Sequence, residues 1–173
     1  MPLPRTQAPE LSFPLITGES WSLADSTAEN FTIVVFYRGT HCPICKTFLA
    51  EIQDNLDTAA EQGIEVVAVS MDGTERTGKT VEEKSLTRLA IGHSLPEATA
   101  RAWDLYMSSA RAGSAEPAVF SEPGLFVIDA TGKIFFAQTQ SAPFTRPDFA
   151  ALLRGLNFVV QNDYPARGDL TAA

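Results

Sequence analysis

The sequence predicts an α/β fold in which helices flank a central mixed β-sheet. Residues 31–70 contain a buried strand, an amphipathic helix and a second buried strand, which together indicate a βαβ unit with a parallel strand pair. Residues 124–129 and 133–138 are strand-like and surround a glycine-containing turn, so they predict an antiparallel hairpin. A sheet that contains both kinds of pairing is mixed.

The residue pattern defines the βαβ unit in more detail. Residues 31–37 are nearly all apolar, β-branched or aromatic, as expected of a central strand that is covered on both faces. Residues 64–70 show a similar pattern. Between the two strands, apolar residues recur at helical spacing from Cys45 to Leu56, and Gly63 is the predicted stop of this helix.

The remaining elements are predicted from turn and capping signals. Residues 1–30 are rich in Pro, Ser, Thr and Gly, and they predict an N-terminal extension with one short hairpin. Capping-box spacing predicts helices that begin near Thr80 and near Thr145. A further helix is expected to follow Pro96 and to contain Trp103.

Residues 109–118 are mostly small, and they predict a mobile surface connection because they offer little side-chain area to bury. The connection is too short to separate two domains. We therefore expect a single domain over residues 1–173, with flexible ends at residues 1–10 and 164–173.

Composition narrows the classes of partner. The formal net charge of -8 argues against binding to duplex nucleic acid, because contacts with backbone phosphates need clustered Lys and Arg. No apolar run approaches the roughly 18 residues that span a bilayer. Residues 1–5 lack the apolar core of a secretory signal, so we expect a cytoplasmic protein without membrane contact.

The two cysteines of the chain are Cys42 and Cys45, and this spacing is too tight to connect distant parts of a fold. In a reducing compartment such a pair is more often catalytic or metal-binding than a permanent cross-link. A zinc site needs two further ligands, and the only histidines are His41 and His93. We therefore expect no metal and no cofactor.

The position of the pair suggests catalysis. Cys42 lies where a buried strand gives way to a helix, so its sulfur is expected to face the free N–H groups and the positive dipole end of that helix. Pro43 suits the first helical position, because proline has no N–H to leave unsatisfied there. A protonated His41 would stabilise the Cys42 thiolate further. Cys42 is therefore the predicted nucleophile.

Cys45 lies one helical turn further along and is expected to be more enclosed than Cys42. It is predicted to attack a mixed disulfide or sulfenic acid on Cys42.

Three other interpretations stay open on the residues alone. The pair could be a buried structural pair, or a non-catalytic redox sensor whose disulfide switches a partner interaction. Residues 73–80 also match the phosphate-binding Walker A pattern, which would make the chain a nucleotide binder. Against this last interpretation, Asp72 and Glu75 would place negative charge where phosphates have to sit.

Residues 36–45, 69–72 and 124–129 resemble the redoxin group of the thioredoxin superfamily, in particular the alkyl hydroperoxide reductase C and thiol-specific antioxidant family, or peroxiredoxins. The resemblance runs from about residue 8 to 160. It implies a thioredoxin-like fold with an N-terminal extension and places Cys42 at the peroxidatic position. It also implies an oxidoreductase that acts on a peroxide or disulfide, an external thioredoxin- or glutathione-like reductant, and a chain able to form oligomers.

Two departures from the peroxiredoxin pattern concern the site. Peroxiredoxins carry Pro-x-x-x-Thr/Ser-x-x-Cys, whereas Val35 and Gly39 stand at the first two key positions here, and Thr40 is the nearest substitute hydroxyl. Peroxiredoxins also carry an arginine just before the strand that begins at residue 124, and Pro123 stands in its place. The residues that could compensate are Arg38 and Arg146.

Pro123 has a second interpretation. Thioredoxins carry a cis-proline before the corresponding strand, where it faces the Cys-x-x-Cys turn and presents backbone to the substrate. This resemblance favours a cis bond at Pro123, although trans is the commoner state of X-Pro bonds.

Overall fold

The computed structural model describes residues 2–170. Its strands and helices alternate along the chain, and the three sheets they form contain five, two and two strands. In chain order, the elements are β1 (Ser12–Pro14), β2 (Ser20–Ser22), β3 (Phe31–Phe36), α1 (Pro43–Asp54), α2 (Leu56–Glu61), β4 (Ile64–Val69), α3 (Thr74–Lys84), β5 (Ala90–Gly92), α4 (Glu97–Ala102), β6 (Met107–Ser109), β7 (Val119–Ser121), β8 (Gly124–Asp129), β9 (Ile134–Thr139) and α5 (Phe149–Asn162).

The five-stranded sheet has the order β5-β4-β3-β8-β9, so β3 lies at its centre. β3 is parallel to β4 and antiparallel to β8, and Val35 pairs with Ala68 on one side and with Leu125 on the other. The predicted mixed sheet, the βαβ unit and the β8-β9 hairpin are all confirmed. Every residue of β3 is buried, because neighbouring strands cover its edges and other elements cover both faces.

Side chains alternate across β3, and each face of the sheet has its own apolar core. Ile33 and Val35 point to the face that α1 and α5 cover. Val34 and Phe36 point to the opposite face, where the β1-β2 hairpin and Trp103 cover them. The N-terminal extension is therefore part of the packed fold, because its hairpin supplies one wall of a core.

The capping signals misplace the starts of two helices: α3 begins earlier than predicted, and α5 begins later. α3 begins at Thr74, and Thr80 lies buried inside it, so the prediction of a start near Thr80 is wrong. Thr77 and Thr80 are the buried residues of this helix, so both belong to its inward face. α5 begins after Asp148, whose carboxylate accepts a hydrogen bond from the Ala151 amide at 2.7 Å. Asp148, and not Thr145, is therefore its N-cap residue.

The first and the fourth helix are also shorter than predicted. The helix expected to run to Gly63 breaks at Asn55, which separates α1 from α2. α4 follows Pro96 as predicted, but Trp103 lies at its C-cap and not inside it.

The connection over residues 109–118 has internal partners that its composition does not reveal. Antiparallel pairing of β6 with β7 joins its two ends. Inside it, the Glu116 carboxylate accepts hydrogen bonds from the Arg111 amide at 2.9 Å and from the Ser114 hydroxyl at 3.1 Å. These bonds, led by the one from the Arg111 amide, hold the pKa of Glu116 at about 2. The connection that we expected to be mobile is therefore anchored by internal hydrogen bonds.

Part of the N-terminal segment expected to be flexible also has partners. The Arg5 amide donates to the Ile134 carbonyl at 2.7 Å, and the Ile134 amide donates to the Thr6 carbonyl at 2.9 Å. Residues 171–173 and Met1 lie outside the described residues. Within residues 2–170, no helix has both the length and the apolar character that a membrane crossing requires.

Candidate active site

The strand-to-helix junction after β3 holds the cysteine pair. Cys42 is the N-cap residue of α1, Pro43 occupies the first helical turn, and the Cys45 amide donates to the Cys42 sulfur at 3.2 Å. This arrangement agrees with the position predicted for Cys42. A sulfur that accepts an amide hydrogen bond at the positive end of a helix dipole is more stable as a thiolate.

Cys42 and Cys45 are joined as a disulfide, with their Cα atoms 5.3 Å apart. Only 2% of Cys42 and 1% of Cys45 is exposed. These exposed fractions are too similar to separate the two cysteines in this oxidised form, so the greater enclosure of Cys45 stays a prediction. The pair can form the bond that a dithiol-disulfide cycle requires, and the oxidised turn shields both sulfur atoms.

Arg146 is the cation that lies against the sulfur pair. Its Nη2 atom donates to the Cys45 sulfur at 2.9 Å, and its Nη1 atom donates to Gln140 Oε1 at 2.8 Å. Its guanidinium lies 5.8 Å from the centre of the Phe48 ring. Burial lowers the pKa of Arg146 to about 10, so the side chain is still a cation at neutral pH.

Arg38, the other arginine considered as a compensating cation, is engaged elsewhere. It forms ion pairs with Glu116 and Glu122, each at 3.3 Å, and lies 4.7 Å from the centre of the Phe120 ring. Both carboxylate side chains are almost fully buried. Arg38 therefore links the loop before β7 to the segment before β8, and Arg146 is the arginine with a hydrogen bond to a cysteine sulfur.

His41 is half-buried between apolar and cationic neighbours. Its ring meets Phe120 edge-on at 4.8 Å between centroids, and Arg76 Nη2 lies 3.5 Å from its Nδ1 atom. Burial, followed by the charge of Arg38, lowers the pKa of His41 below its ordinary value of 6.5. In the disulfide form the neutral ring of His41 is therefore favoured at neutral pH, and the stabilisation of a Cys42 thiolate by a protonated His41 stays a prediction.

A buried carboxylate fixes the turn before Cys42. Asp72 Oδ2 accepts a hydrogen bond from the Thr40 amide at 2.7 Å, and Asp72 Oδ1 accepts one from Arg76 Nε at 2.7 Å. Gly39 has a φ of +125°, and a Cβ atom there would lie 2.4 Å from Asp72 Oδ2. The Asp72 carboxylate thus fills the space that a side chain at position 39 would need.

This contact explains one departure from the peroxiredoxin pattern. A threonine or serine at position 39 is incompatible with the observed place of Asp72, so the chain uses glycine. Thr40 contributes its backbone amide to the turn. Asp72 was missed as a site residue by sequence reasoning; its place directly after a buried parallel strand is the signal that could have identified it, because such strand ends commonly carry functional groups.

The nucleotide-binding interpretation is wrong. Residues 74–80 are helical, whereas the Walker A pattern requires an open loop whose amides surround a phosphate. Lys79 pairs with Glu75 at 2.8 Å, and Thr80 is buried. Within residues 2–170, no group of three or more His, Cys, Asp or Glu residues is placed to hold a metal ion.

The prediction of a cis bond at Pro123 is also wrong, since no cis peptide bond occurs in the described part of the chain. Hydrogen bonds on both sides hold an extended trans segment: the Glu122 amide donates to the Tyr106 carbonyl at 2.7 Å, and the Gln140 amide donates to the Pro123 carbonyl at 2.9 Å. The Pro123 carbonyl is therefore already paired within the protein.

A small cavity of about 10 Å³ lies beside Cys45, and its lining includes Tyr37, Phe48, Pro123 and Arg146. This space is about enough for one water molecule. Burial raises the pKa of Tyr37 to about 12, so its hydroxyl stays neutral. The wall of the cavity is mainly apolar, and Arg146 is the charged residue among those that line it.

Replacement of Gly39 by alanine tests the role of Asp72. Gly39→Ala introduces a Cβ atom into the Asp72 carboxylate and strains a positive φ. We expect it to lower the free energy of unfolding by roughly 1–3 kcal/mol. The measurement is urea denaturation followed by circular dichroism.

Gly155→Ala is the matched control, because Gly155 lies inside α5 with no atom near its missing Cβ position. Alanine there stabilises a helix by roughly 0.5–1 kcal/mol. Equal effects of the two substitutions would contradict the role given to Asp72.

The lowered pKa of His41 predicts a pH dependence of stability. Between that pKa and 6.5 the unfolded chain binds more protons than the folded one, so the free energy of unfolding rises with pH in this window. His41→Gln removes this rise, as urea denaturation at a series of pH values will measure. His93→Gln, which removes the other histidine, is the control. A rise that disappears in His93→Gln and persists in His41→Gln would contradict the assignment.

Comparisons with known proteins agree with this geometry. The AhpC/TSA family profile matches residues 4–137. The chain is 30% identical over 135 residues to "Putative peroxiredoxin Rv2521" of Mycobacterium tuberculosis. The aligned region covers 78% of this chain and 83% of that protein. It is 29% identical over 79 residues to "Peroxiredoxin Bcp" of Escherichia coli, and this aligned region covers 46% of this chain and 50% of that protein.

Solved structures show the same fold. Peroxidoxin BcpB from Mycobacterium tuberculosis superposes with a TM-score of 0.74 at 16% identity, over 92% of this chain and 99% of that one. Peroxiredoxin 6 of Arenicola marina superposes with a TM-score of 0.79 at 13% identity, over 95% of this chain and 76% of that one. The fold is the thioredoxin-like one predicted, and the chain belongs to the AhpC/TSA family.

Proposed function

We propose that this protein is a peroxiredoxin-like oxidoreductase that reduces peroxides or disulfides through a Cys42/Cys45 dithiol-disulfide cycle. The observation that carries the proposal is the Cys42–Cys45 disulfide at the N-terminus of α1, where the Cys45 amide donates to the Cys42 sulfur. This environment favours a thiolate at Cys42, and a second thiol within bonding distance allows the product of its reaction to be resolved.

In the proposed first step, the Cys42 thiolate attacks the substrate. A peroxide loses its O–O bond, one oxygen joins Cys42 as a sulfenic acid, and the other leaves as an alkoxide or hydroxide that takes a proton from water. A disulfide substrate loses its S–S bond, one sulfur joins Cys42 in a mixed disulfide, and the other leaves as a thiolate. In either case the sulfur of Cys42 is oxidised and the substrate is reduced.

In the second step Cys45 closes the Cys42–Cys45 disulfide and expels hydroxide or the remaining substrate thiolate. Two electrons must then return to the pair. The reductant we propose is external: the two thiols of a thioredoxin-like protein, or the thiols of two glutathione-like molecules, become a disulfide while Cys42 and Cys45 become thiols. We propose that the cycle runs in the cytoplasm, because thiols of this kind are kept reduced there.

The supporting residues divide into three roles in this proposal. Pro43 fixes the first turn of α1, and Thr40 fixes the preceding turn through its amide bond to Asp72. His41 contributes a neutral ring beside the turn, and Pro123 forms part of the wall beside Cys45. The peroxiredoxin pattern requires a hydroxyl where Gly39 stands, and Thr40 carries the nearest substitute hydroxyl in this proposal.

Stopped-flow kinetics with hydrogen peroxide and, in parallel, a model disulfide tests the proposal. The reduced wild-type protein is expected to react rapidly with at least one of them and to turn over repeatedly when a thiol reductant is supplied. Cys42→Ser is expected to lower that rate to the uncatalysed background, because a serine hydroxyl is not an activated nucleophile here.

Cys45→Ser is the matched control, because it removes the same atom type one turn away. It is expected to keep the first step and to lose repeated turnover. Reaction rates that do not depend on Cys42 would contradict the proposal. A single fast oxidation without turnover in the wild type would instead favour a redox-sensing module.

A further inference from the structure

We infer that Arg146 acts on Cys45 and not on Cys42: it holds Cys45 as a thiolate once Cys42 has reacted, and so drives the second step of the cycle. The inference rests on the proposed function for its place in a cycle, whereas its physical content concerns one contact in the protein. It gives Arg146 a role in resolution, distinct from the stabilisation of the first nucleophile.

The contact is specific to one sulfur atom. Arg146 Nη2 donates to the Cys45 sulfur at 2.9 Å, whereas the hydrogen bond to the Cys42 sulfur comes from the Cys45 amide at 3.2 Å. Each cysteine therefore has its own electropositive group: a helix N-terminus at Cys42 and a guanidinium at Cys45. Arg146 reaches Cys45 from the segment before α5, 101 residues further along the chain.

The charge of Arg146 lacks a direct counterion in the disulfide form. Within the described residues no carboxylate forms an ion pair with it; Nη1 is paired with the neutral Gln140 amide, and Nε is buried without a hydrogen-bond partner. A partly buried cation without a counterion is unfavourable. Opening of the disulfide would place a negatively charged sulfur at the end of an existing hydrogen bond and compensate this charge.

Other charged groups around the contact have partners of their own. Glu51, which lines a surface pocket together with Arg146, accepts a hydrogen bond from the Phe149 amide at 3.1 Å. The negative charge of Glu122 attracts Arg146, but Glu122 forms its ion pair with Arg38. The positive charge of Arg38 in turn repels that of Arg146. Lys46, next to Cys45 on α1, pairs with Glu83 of α3. Tyr37, which lines the same cavity, stays neutral because burial raises its pKa to about 12.

The two electropositive groups give the cysteines an order of action. Two adjacent thiolates repel one another, so the reduced pair titrates as a coupled unit in which one negative charge is shared. When Cys42 bonds to substrate, its charge is lost. The helix N-terminus then has no thiolate to stabilise, and the guanidinium of Arg146 favours the negative charge on Cys45.

In the step that Arg146 promotes, the electron pair of the Cys45 thiolate attacks the Cys42 sulfur. The Cys42–Cys45 bond forms while the bond from Cys42 to the substrate sulfur, or to the sulfenic oxygen, breaks. The leaving thiolate or hydroxide takes a proton from water. No further oxidant or reductant enters this step.

Thiolate absorbance measured against pH tests the inference without substrate or reductant. In a Cys42→Ser background, where Cys45 is the remaining thiol, Arg146→Met is expected to raise the titration midpoint by about 1 to 3 pH units, as expected when an opposite charge is removed. Arg146→Lys, which keeps the charge, is expected to restore part of the difference. In a Cys45→Ser background, Arg146→Met is expected to move the midpoint of Cys42 by less.

Arg88→Met is the control for loss of an arginine, because Arg88 is exposed and paired with Asp57. It is expected to leave both midpoints unchanged. The inference is overturned if Arg146→Met moves the midpoint of Cys42 more than that of Cys45, if it moves neither, or if Arg88→Met has the same effect. Should Arg146→Met fail to fold, comparison of Arg146→Lys with Arg146→Gln decides between charge and packing in the same way.

A kinetic measurement separates this inference from the proposed function. A mixed disulfide between Cys42 and a chromogenic thiol is formed at low pH, and release of the thiol is followed after a jump to neutral pH. Arg146→Met is expected to slow this release about tenfold or more, in line with a lower thiolate fraction at Cys45. Unchanged release would overturn the inference while leaving the Cys42/Cys45 cycle intact.

Discussion

The central strand β3 is the constraint on which the site depends. It pairs with β4 on one side and β8 on the other, and all six of its residues are buried. The C-terminal end of β3 is therefore held in the middle of the sheet. The turn that follows it positions the N-terminus of α1 at this end of the strand. Cys42 is held at the N-terminus of that helix by the packing of the whole sheet, and its amide-stabilised sulfur is a consequence.

Sequence reasoning was most successful where the signal is local. The apolar run of β3, the β8-β9 turn and the Pro43 at the start of α1 each identify an element from neighbouring residues. It failed where distant contacts decide. Pro123 has a trans bond and pairs through its carbonyl with the amide of Gln140, and the glycine at position 39 follows from a carboxylate 33 positions along the chain. Arg146 was a candidate from the sequence, but only packing shows which sulfur it contacts.

The charges around the cysteine pair give the site an asymmetric design. Asp72 and Arg76 fix the turn before Cys42, while burial keeps His41 neutral. The groups that stabilise negative charge on the sulfur atoms are therefore the N-terminus of α1 on the Cys42 side and the Arg146 guanidinium on the Cys45 side. This layout differs from the peroxiredoxin pattern in its residues, but in the proposed cycle it provides an electropositive group for each chemical step.

Mass spectrometry of the reduced protein after one equivalent of oxidant tests the central claim most directly. After alkylation of the remaining thiols under denaturing conditions, the account predicts a monomer that has lost two hydrogens, with Cys42 and Cys45 joined in one peptide. A product dominated by a sulfenic or sulfinic acid on Cys42, with Cys45 still free, would contradict it. So would a disulfide between two chains.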